Sequence, residues 1–175
     1  MTDKLRIAID MDEVIVDAYA AQLHWLKSNF GNIEEPKVGQ KFRDVLPAKN
    51  QDALQEELNH GAIFGRMEPM KNAVEVLKQL YIKYDAFICT AAMEYPNSMP
   101  YKFRWIQEHL PFWDPLNVVF CGQKYIMQTD YLIDDSPRHF EHFGGKGLVF
   151  SALHNLDEDR YERVENWGAV AEKLL

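Results

Sequence analysis

Four short apolar runs in this chain each lead to side chains able to do chemistry. Leu5-Arg6-Ile7-Ala8-Ile9 delivers Asp10 and, two positions on, Asp12. Phe87-Ile88-Cys89 delivers Thr90, the run from Val118 to Cys121 leads to Lys124, and Tyr131-Leu132-Ile133 delivers Asp134 and Asp135. In an extended chain residues i and i+2 point the same way, so Asp10 and Asp12 could leave a strand on a common side. Crowded carboxylates repel, which favours a bound cation or one member held protonated. Hydrolysis of a phosphate monoester asks for a nucleophile, positive charge on the phosphoryl oxygens and a proton for the departing alkoxide. Each residue also has an ordinary reading. Asp forms strand-to-loop turns, Thr is a common strand residue, Lys usually faces solvent, and Asp134-Asp135 could cap a helix before Ser136-Pro137. It is the ordered set, each member near a strand end, that points to one site.

The elements that must position these residues follow from periodicity. Tyr19, Leu23, Leu26 and Phe30 predict a helix ending at Gly31, with Trp25 off that stripe. Residues 32–40 are polar and broken by Pro36 and Gly39, hence a loop; 41–46 is a short mixed element ended by Pro47. A helix is expected over 50–59 with Asn50 as its N-cap, then a turn from Gly61 to Gly65. Ala73, Val74, Leu77, Leu80 and Tyr81 mark the next helix, and Phe103, Ile106 and Leu110 another from Met99. A short helical turn precedes the Leu132 strand, a helix is expected over 138–143, and Lys146 to Phe150 is a fifth strand. Tyr161, Val164, Trp167, Ala171 and Leu174 predict a closing helix. Strands alternating with helices give a parallel sheet with helices on both faces, and ligands sit beyond the carboxyl ends of its strands. The segment 17–69 interrupts that alternation with helices alone.

Through Asp10-Met11-Asp12, Ile88-Cys89-Thr90, Pro100-Tyr101-Lys102 and Leu132-Ile133-Asp134-Asp135, the chain resembles the 5′(3′)-deoxyribonucleotidase family of the haloacid dehalogenase-like (HAD) phosphohydrolases. The resemblance implies an α/β fold, a HAD-like three-layer α/β/α core with a parallel sheet, formed by residues 1–16 and 70–175. A small helical cap, 17–69, would be inserted after the first strand. It implies a Mg²⁺-dependent phosphomonoesterase that dephosphorylates (deoxy)ribonucleoside monophosphates through an aspartyl-phosphate. Asp10 would be the nucleophile; Asp12 would protonate the leaving oxygen and then activate water. The Mg²⁺ ligands would be the Asp10 carboxylate, the Asp12 carbonyl and Asp135, with Asp134 orienting a metal-bound water or Lys124. Thr90, the N–H groups just after it (Ala91) and Lys124 would bind the phosphate. In the cap, Phe42, Trp25 and Phe64 are candidates to stack on a base, and Arg43 and Lys41 to meet the phosphate or the base edge; helix packing and solvated charge remain the ordinary readings. Apolar surroundings that include Phe42, Phe64 and Met11 would penalise a ribose 2′-hydroxyl and so favour deoxyribonucleotides.

Three departures from the family pattern stand out. Glu13 replaces a usual glycine, Ala91 replaces a serine and so removes one hydroxyl, and the cap lacks the family's aromatic pair in recognisable context. A HAD phosphatase for another small ester, such as a sugar phosphate, is the rival enzyme reading. A non-catalytic phosphate-binding protein is the rival from another class, although a binding pocket has no need of both Asp10 and Asp12.

Composition bounds the partners. The content, 47% hydrophobic and 26% charged over 175 residues, is that of an ordinary globular protein with one core and a small insertion. A formal net charge of −8 argues against polymeric nucleic acid but not against a small phosphate ester. No apolar run reaches the roughly 20 residues of a membrane span, and Met1-Thr2-Asp3-Lys4 lacks a signal-peptide layout, so a cytoplasmic protein is expected. Cys89 and Cys121 read as small core residues of a reducing compartment. His139 and His142 read as surface residues, and a homodimer is left open.

Overall fold

The computed structural model describes residues 4–175. Its sheet has six strands, β1 (Arg6–Ile9), β2 (Asp85–Thr90), β3 (Val118–Phe120), β4 (Tyr131–Asp134), β5 (Lys146–Phe150) and β6 (Glu162–Val164), in the order β3-β2-β1-β4-β5-β6. Every pairing is parallel. β1 lies at the centre, and its Ile7, Ala8 and Ile9 have no exposure. A strand covered on both faces can be continuously apolar, which is why this run does not alternate. The chain builds outward from β1 through β2 to β3, then returns to the far side of β1 at β4. The carboxyl ends of β1, β2 and β4 meet at this reversal, where open α/β sheets form their ligand crevice.

Between β1 and β2 the chain makes α1 (Ala18–Phe30), α2 (Phe42–Val45), α3 (Ala48–His60) and α4 (Ala73–Lys83). The Asp17 carboxylate caps α1 by accepting from the Ala20 N–H at 2.8 Å, and Gly31, at φ 70°, stops it. α3 starts two residues before the expected 50, behind Pro47 rather than Asn50. The Pro47 ring holds φ at −57°, ready for the helical turn, and its carbonyl accepts from Asn50 and Gln51. The segment carrying α1 to α3 leaves and returns side by side. Asp17 N–H donates to Glu68 O at 3.0 Å, and Met70 N–H to Ile15 O at 2.8 Å.

One sheet face, bearing Ile7, Ile9, Ile88, Ile133 and Leu148, packs with residues of α4, α5 (Met99–His109) and α6 (Trp167–Leu174), among them Leu77, Trp105 and Trp167. The other, bearing Ala8, Cys89, Leu132 and Val149, is covered by Cys121, Phe140 and Tyr161 from the strand connections. Those connections form single 3-10 turns at Lys124–Met127, Pro137–His139 and Leu153–Asn155. The helix expected over 138–143 is therefore only a turn: Pro137 opens it, and Gly144-Gly145 follow too soon for another. The closing helix is also shorter than expected. Glu162–Val164 instead forms β6 against Leu148–Phe150, and α6 starts behind Asn166, whose side chain accepts from Ala169 N–H. Trp167 Nε1 donates to Val14 O at 2.8 Å, tying α6 to the loop after β1. Among the described residues no helix is long and apolar enough to cross a membrane.

Candidate active site

Asp10 continues the β1 pairing by donating its N–H to the Ile133 carbonyl at 2.9 Å, which sets it beside the end of β4. The turn that follows is built on one carbonyl. Met11 O accepts from Ile15 N–H at 2.8 Å and Val16 N–H at 3.0 Å. The Met11 side chain is fully buried and outside the site cavity, so it is no part of the expected sugar surroundings.

Lys124, 1% exposed, bridges the two ends. Its Nζ donates to Asp10 Oδ1 and, at 2.6 Å, to Asp134 Oδ2. A buried ammonium needs such partners, since an unpaired one would cost several kcal/mol or lose its proton. Burial disfavours its charge, but Asp10 and Asp134 overrule that and hold it above the ordinary lysine value. The other Asp134 oxygen accepts from Ser136 N–H at 2.8 Å.

Carboxylate oxygens of Asp10, Asp134 and Asp135 lie within 4.8 Å of one another. Burial, helped by Asp135 and Asp12, pushes the Asp10 carboxyl up to about 6 against the pull of Lys124. Burial and Asp10 raise Asp134 well above its ordinary value. Burial would raise Asp135 too, but His154, Lys124 and Lys41 outweigh it and hold that carboxyl low; His154 Nε2 is 3.1 Å from Asp135 Oδ2. A buried all-oxygen cluster suits a hard divalent cation. The Asp12 carbonyl accepts no hydrogen bond among the described residues, so it too is free to face one. The donor set thus fits the metal that the sequence implies.

The second cation of the site is Lys102, of the Pro100-Tyr101-Lys102 motif, whose part in the site the sequence alone does not disclose. It sits in α5, 2% exposed, and donates to Asp12 Oδ2 at 2.5 Å and Thr90 Oγ1 at 2.9 Å. Its Nζ is 4.8 Å from the Phe64 ring centre. The signal was present: Lys102, Trp105 and Ile106 share the buried stripe of α5, where a lysine must have a partner. Asp12 Oδ1 is buried with no hydrogen-bond partner.

Above these groups lies a cavity of about 660 Å³, within the range of small-molecule sites. Thr90, Ala91, Lys124, Asp10, Asp12, Asp134 and Asp135 are all at its walls. On its far side α3 presents Gln51, Leu54, Gln55 and Leu58, one helical face, and α1 presents Ala18, Tyr19 and Gln22. Phe42 stacks on Tyr19, a residue not foreseen here, with ring centres 5.0 Å apart and planes at 16°. Phe64, Lys41 and Arg43 also line the cavity. Trp25 does not: it lies about 10 Å along α1 from Ala18 and meets Phe30 edge-on.

Two further residues depart from expectation or pattern. His139 is half-buried at the cavity wall rather than on the surface, and burial with Lys124 and Arg138 presses it down to about 4; His142 is exposed. Glu13 is half-buried with φ at 58°, a left-handed conformation that glycine adopts without strain. Burial, with Asp135 and Asp17, pushes its carboxyl up to about 8. Cys89 and Cys121 are both buried and free.

Residues 4–175 match the family model described as 5′ nucleotidase, deoxy (pyrimidine), cytosolic type C protein. The chain belongs to this nucleotidase family. A relative in Staphylococcus aureus (strain Mu50) is 41% identical over 171 residues, 97% of this chain and 94% of the relative. The 5′(3′)-deoxyribonucleotidase of Bacillus subtilis (strain 168) is 31% identical over 175 residues, 97% and 98% of the two chains. Among solved structures the nucleotidase chain is similar in fold to YfnB of Bacillus subtilis, a magnesium-bound form (TM-score 0.62, 14% identity, 99% of each chain). It is similar also to the haloacid dehalogenase-like protein SP0104 of Streptococcus pneumoniae (TM-score 0.53, 14% identity, 100% of each). The fold is therefore HAD-like, and membership of the family makes the chain a phosphoric monoester hydrolase.

Proposed function

We propose that this nucleotidase is a Mg²⁺-dependent phosphatase of deoxyribonucleoside monophosphates, working in the cytoplasm, with residues 17–69 as a cap over its core. The observation that carries the reading is Asp10, held at the end of β1 between Lys124 and the acids at the end of β4, Asp134 and Asp135, under a cavity of nucleotide size.

Asp10, Asp135 and the Asp12 carbonyl would hold Mg²⁺, which when bound supplies positive charge to the phosphoryl oxygens and favours ionised Asp10. The Asp10 carboxylate attacks phosphorus in line, and the bond to the ester oxygen breaks as the aspartyl-phosphate forms. Asp12 gives a proton to the departing alkoxide. Asp12 then takes a proton from the water that attacks phosphorus, which frees phosphate and restores the Asp10 carboxylate. Thr90, the Ala91 N–H and the ammoniums of Lys102 and Lys124 stabilise the charge on the phosphoryl group throughout. Above it, the Tyr19–Phe42 stack and Phe64 offer flat apolar surfaces to a base.

Asp10→Asn replaces the nucleophile by a neutral amide of the same shape. Turnover should fall by several powers of ten while far- and near-UV circular dichroism keep the native signal. A folded Asp10→Asn protein with near-normal kcat would overturn the mechanism.

A further inference from the structure

The Asp135 peptide is held by a device that no part of the chemistry above requires. β4 and β5 make their last register pair at Asp134 and Val149, so the next carbonyls, of Asp135 and Phe150, lie beyond the ladder. Two carbonyls cannot bond each other. Asn155, 3% exposed, supplies the missing donors: its Nδ2 reaches Asp135 O at 2.7 Å and Phe150 O at 2.8 Å. Its Oδ1 accepts from Ala152 N–H at 3.1 Å and Arg163 Nη1 at 3.0 Å, so both donors and both lone pairs of the amide are used. Arg163, from β6, also donates through Nη2 to Asn155 O at 2.8 Å and Glu158 O at 2.7 Å. The same 3-10 turn carries His154, whose Nε2 lies 3.1 Å from Asp135 Oδ2 without a hydrogen bond. One turn therefore holds the Asp135 carbonyl through Asn155 and sets His154 beside its carboxylate.

The direction of the Asp135 carboxylate depends on this grip. Side chains of adjacent residues in a strand diverge, yet Asp134 and Asp135 both bring an oxygen near Asp10. The Asp135 peptide must be rotated out of strand geometry and kept there. We propose that Asn155 is the positioning residue of the cation site, fixing the Asp135 peptide so that its carboxylate converges with that of Asp10, with Arg163 bracing Asn155 in turn. This rests on Asp135 being a cation ligand, as read above. Groups that orient metal ligands commonly change metal affinity by about 10- to 100-fold when removed.

The test is direct Mg²⁺ binding by isothermal titration calorimetry, without substrate, well below the melting temperature. Four variants are compared with the parent: Asn155→Ala, Arg163→Lys, Asp135→Asn, and Val170→Ala, in the buried core of α6 away from the cavity. Asn155→Ala should raise Kd for Mg²⁺ about 10- to 100-fold, and Arg163→Lys, which loses the guanidinium fork but keeps Asn155, several-fold. Val170→Ala should lose stability yet bind Mg²⁺ as the parent does; a merely structural role for Asn155 would give Asn155→Ala that same pattern. A folded Asn155→Ala protein with parental Kd overturns the proposal; should that variant fail to fold, a parental Kd for Arg163→Lys does so. If Asp135→Asn alone weakens binding, only the role of Asn155 falls. If Asp135→Asn binds Mg²⁺ normally, the ligand assignment and the proposal fall together.

Discussion

Two lysines define the charge of this site, and they have different partners. Lys124 joins Asp10 to Asp134, whereas Lys102 joins Asp12 to Thr90 and so touches the acid and the hydroxyl expected at the ester oxygen and the phosphoryl group. Lys102→Met keeps the buried stem and removes the charge. It should lower kcat by about 10²- to 10³-fold, the usual loss for one preorganised donor, measured as phosphate release at saturating substrate and Mg²⁺. A change confined to KM would mean that Lys102 only binds. Glu13 is the opposite case, an acid where charge is unwelcome. Its folded pKa of about 8 exceeds the ordinary 4.5, so the folded protein keeps a proton that the unfolded chain gives up. The associated stability is full below about pH 4.5 and is lost as pH rises through about 8. Glu13→Gln should therefore gain about 1–3 kcal/mol over the parent at pH 8 and almost nothing at pH 4.5. Urea unfolding of both proteins in EDTA checks this; parallel pH profiles would contradict it.

At the scale of elements, the helical segment after β1 is docked on the core as well as tethered to it. Asn97 Nδ2 donates to Asn59 O at 2.8 Å, and Trp105 Nε1 to Met67 O at 2.7 Å. Gly61 ends α3 at φ 83°, and a Cβ there would lie 2.4 Å from Asn97 O. Gly61→Ala meets both a left-handed backbone and a backbone wall, so it should cost about 2–4 kcal/mol, seen as a lower urea midpoint with unchanged m. An alanine variant as stable as the parent would contradict the docking. These contacts also explain what the sequence could and could not disclose. Asp10, Thr90, Lys124 and Asp134-Asp135 were legible because a parallel sheet brings its strand ends together, whatever the detail. β6 was not, since three residues, Glu162-Arg163-Val164, are too few to show a period and borrow their conformation from β5. Asn155 and Tyr19 gain their roles only from partners far along the chain or across a helix face. Lys102 was half legible: its motif was visible, but its burial among Trp105 and Ile106 was the stronger clue.

For the whole molecule, the cavity joins a charged floor to a wall where Phe42, Leu54, Leu58 and Phe64 stand among Gln22, Gln51 and Gln55, and these suit the phosphate and the base of a nucleoside monophosphate. The wall also bears on the sugar. Set against Phe42 or Phe64 without a hydrogen-bond partner, a ribose 2′-hydroxyl would lose hydration on the order of 1–3 kcal/mol, roughly ten- to a hundredfold in rate. dUMP or dTMP should accordingly exceed UMP in kcat/KM by at least several-fold, narrowing when Phe42 or Phe64 is cut to alanine; equal rates would remove the deoxy preference alone. The central claim, a cation-dependent nucleotide phosphatase built on Asp10, is tested most directly by phosphate release across a panel of nucleotides and sugar phosphates, with Mg²⁺ and in excess EDTA. The expected result is turnover of deoxyribonucleoside monophosphates that ends on chelation and returns with added Mg²⁺. Undiminished turnover in EDTA, or rapid hydrolysis of a sugar phosphate with none of any nucleotide, would contradict it.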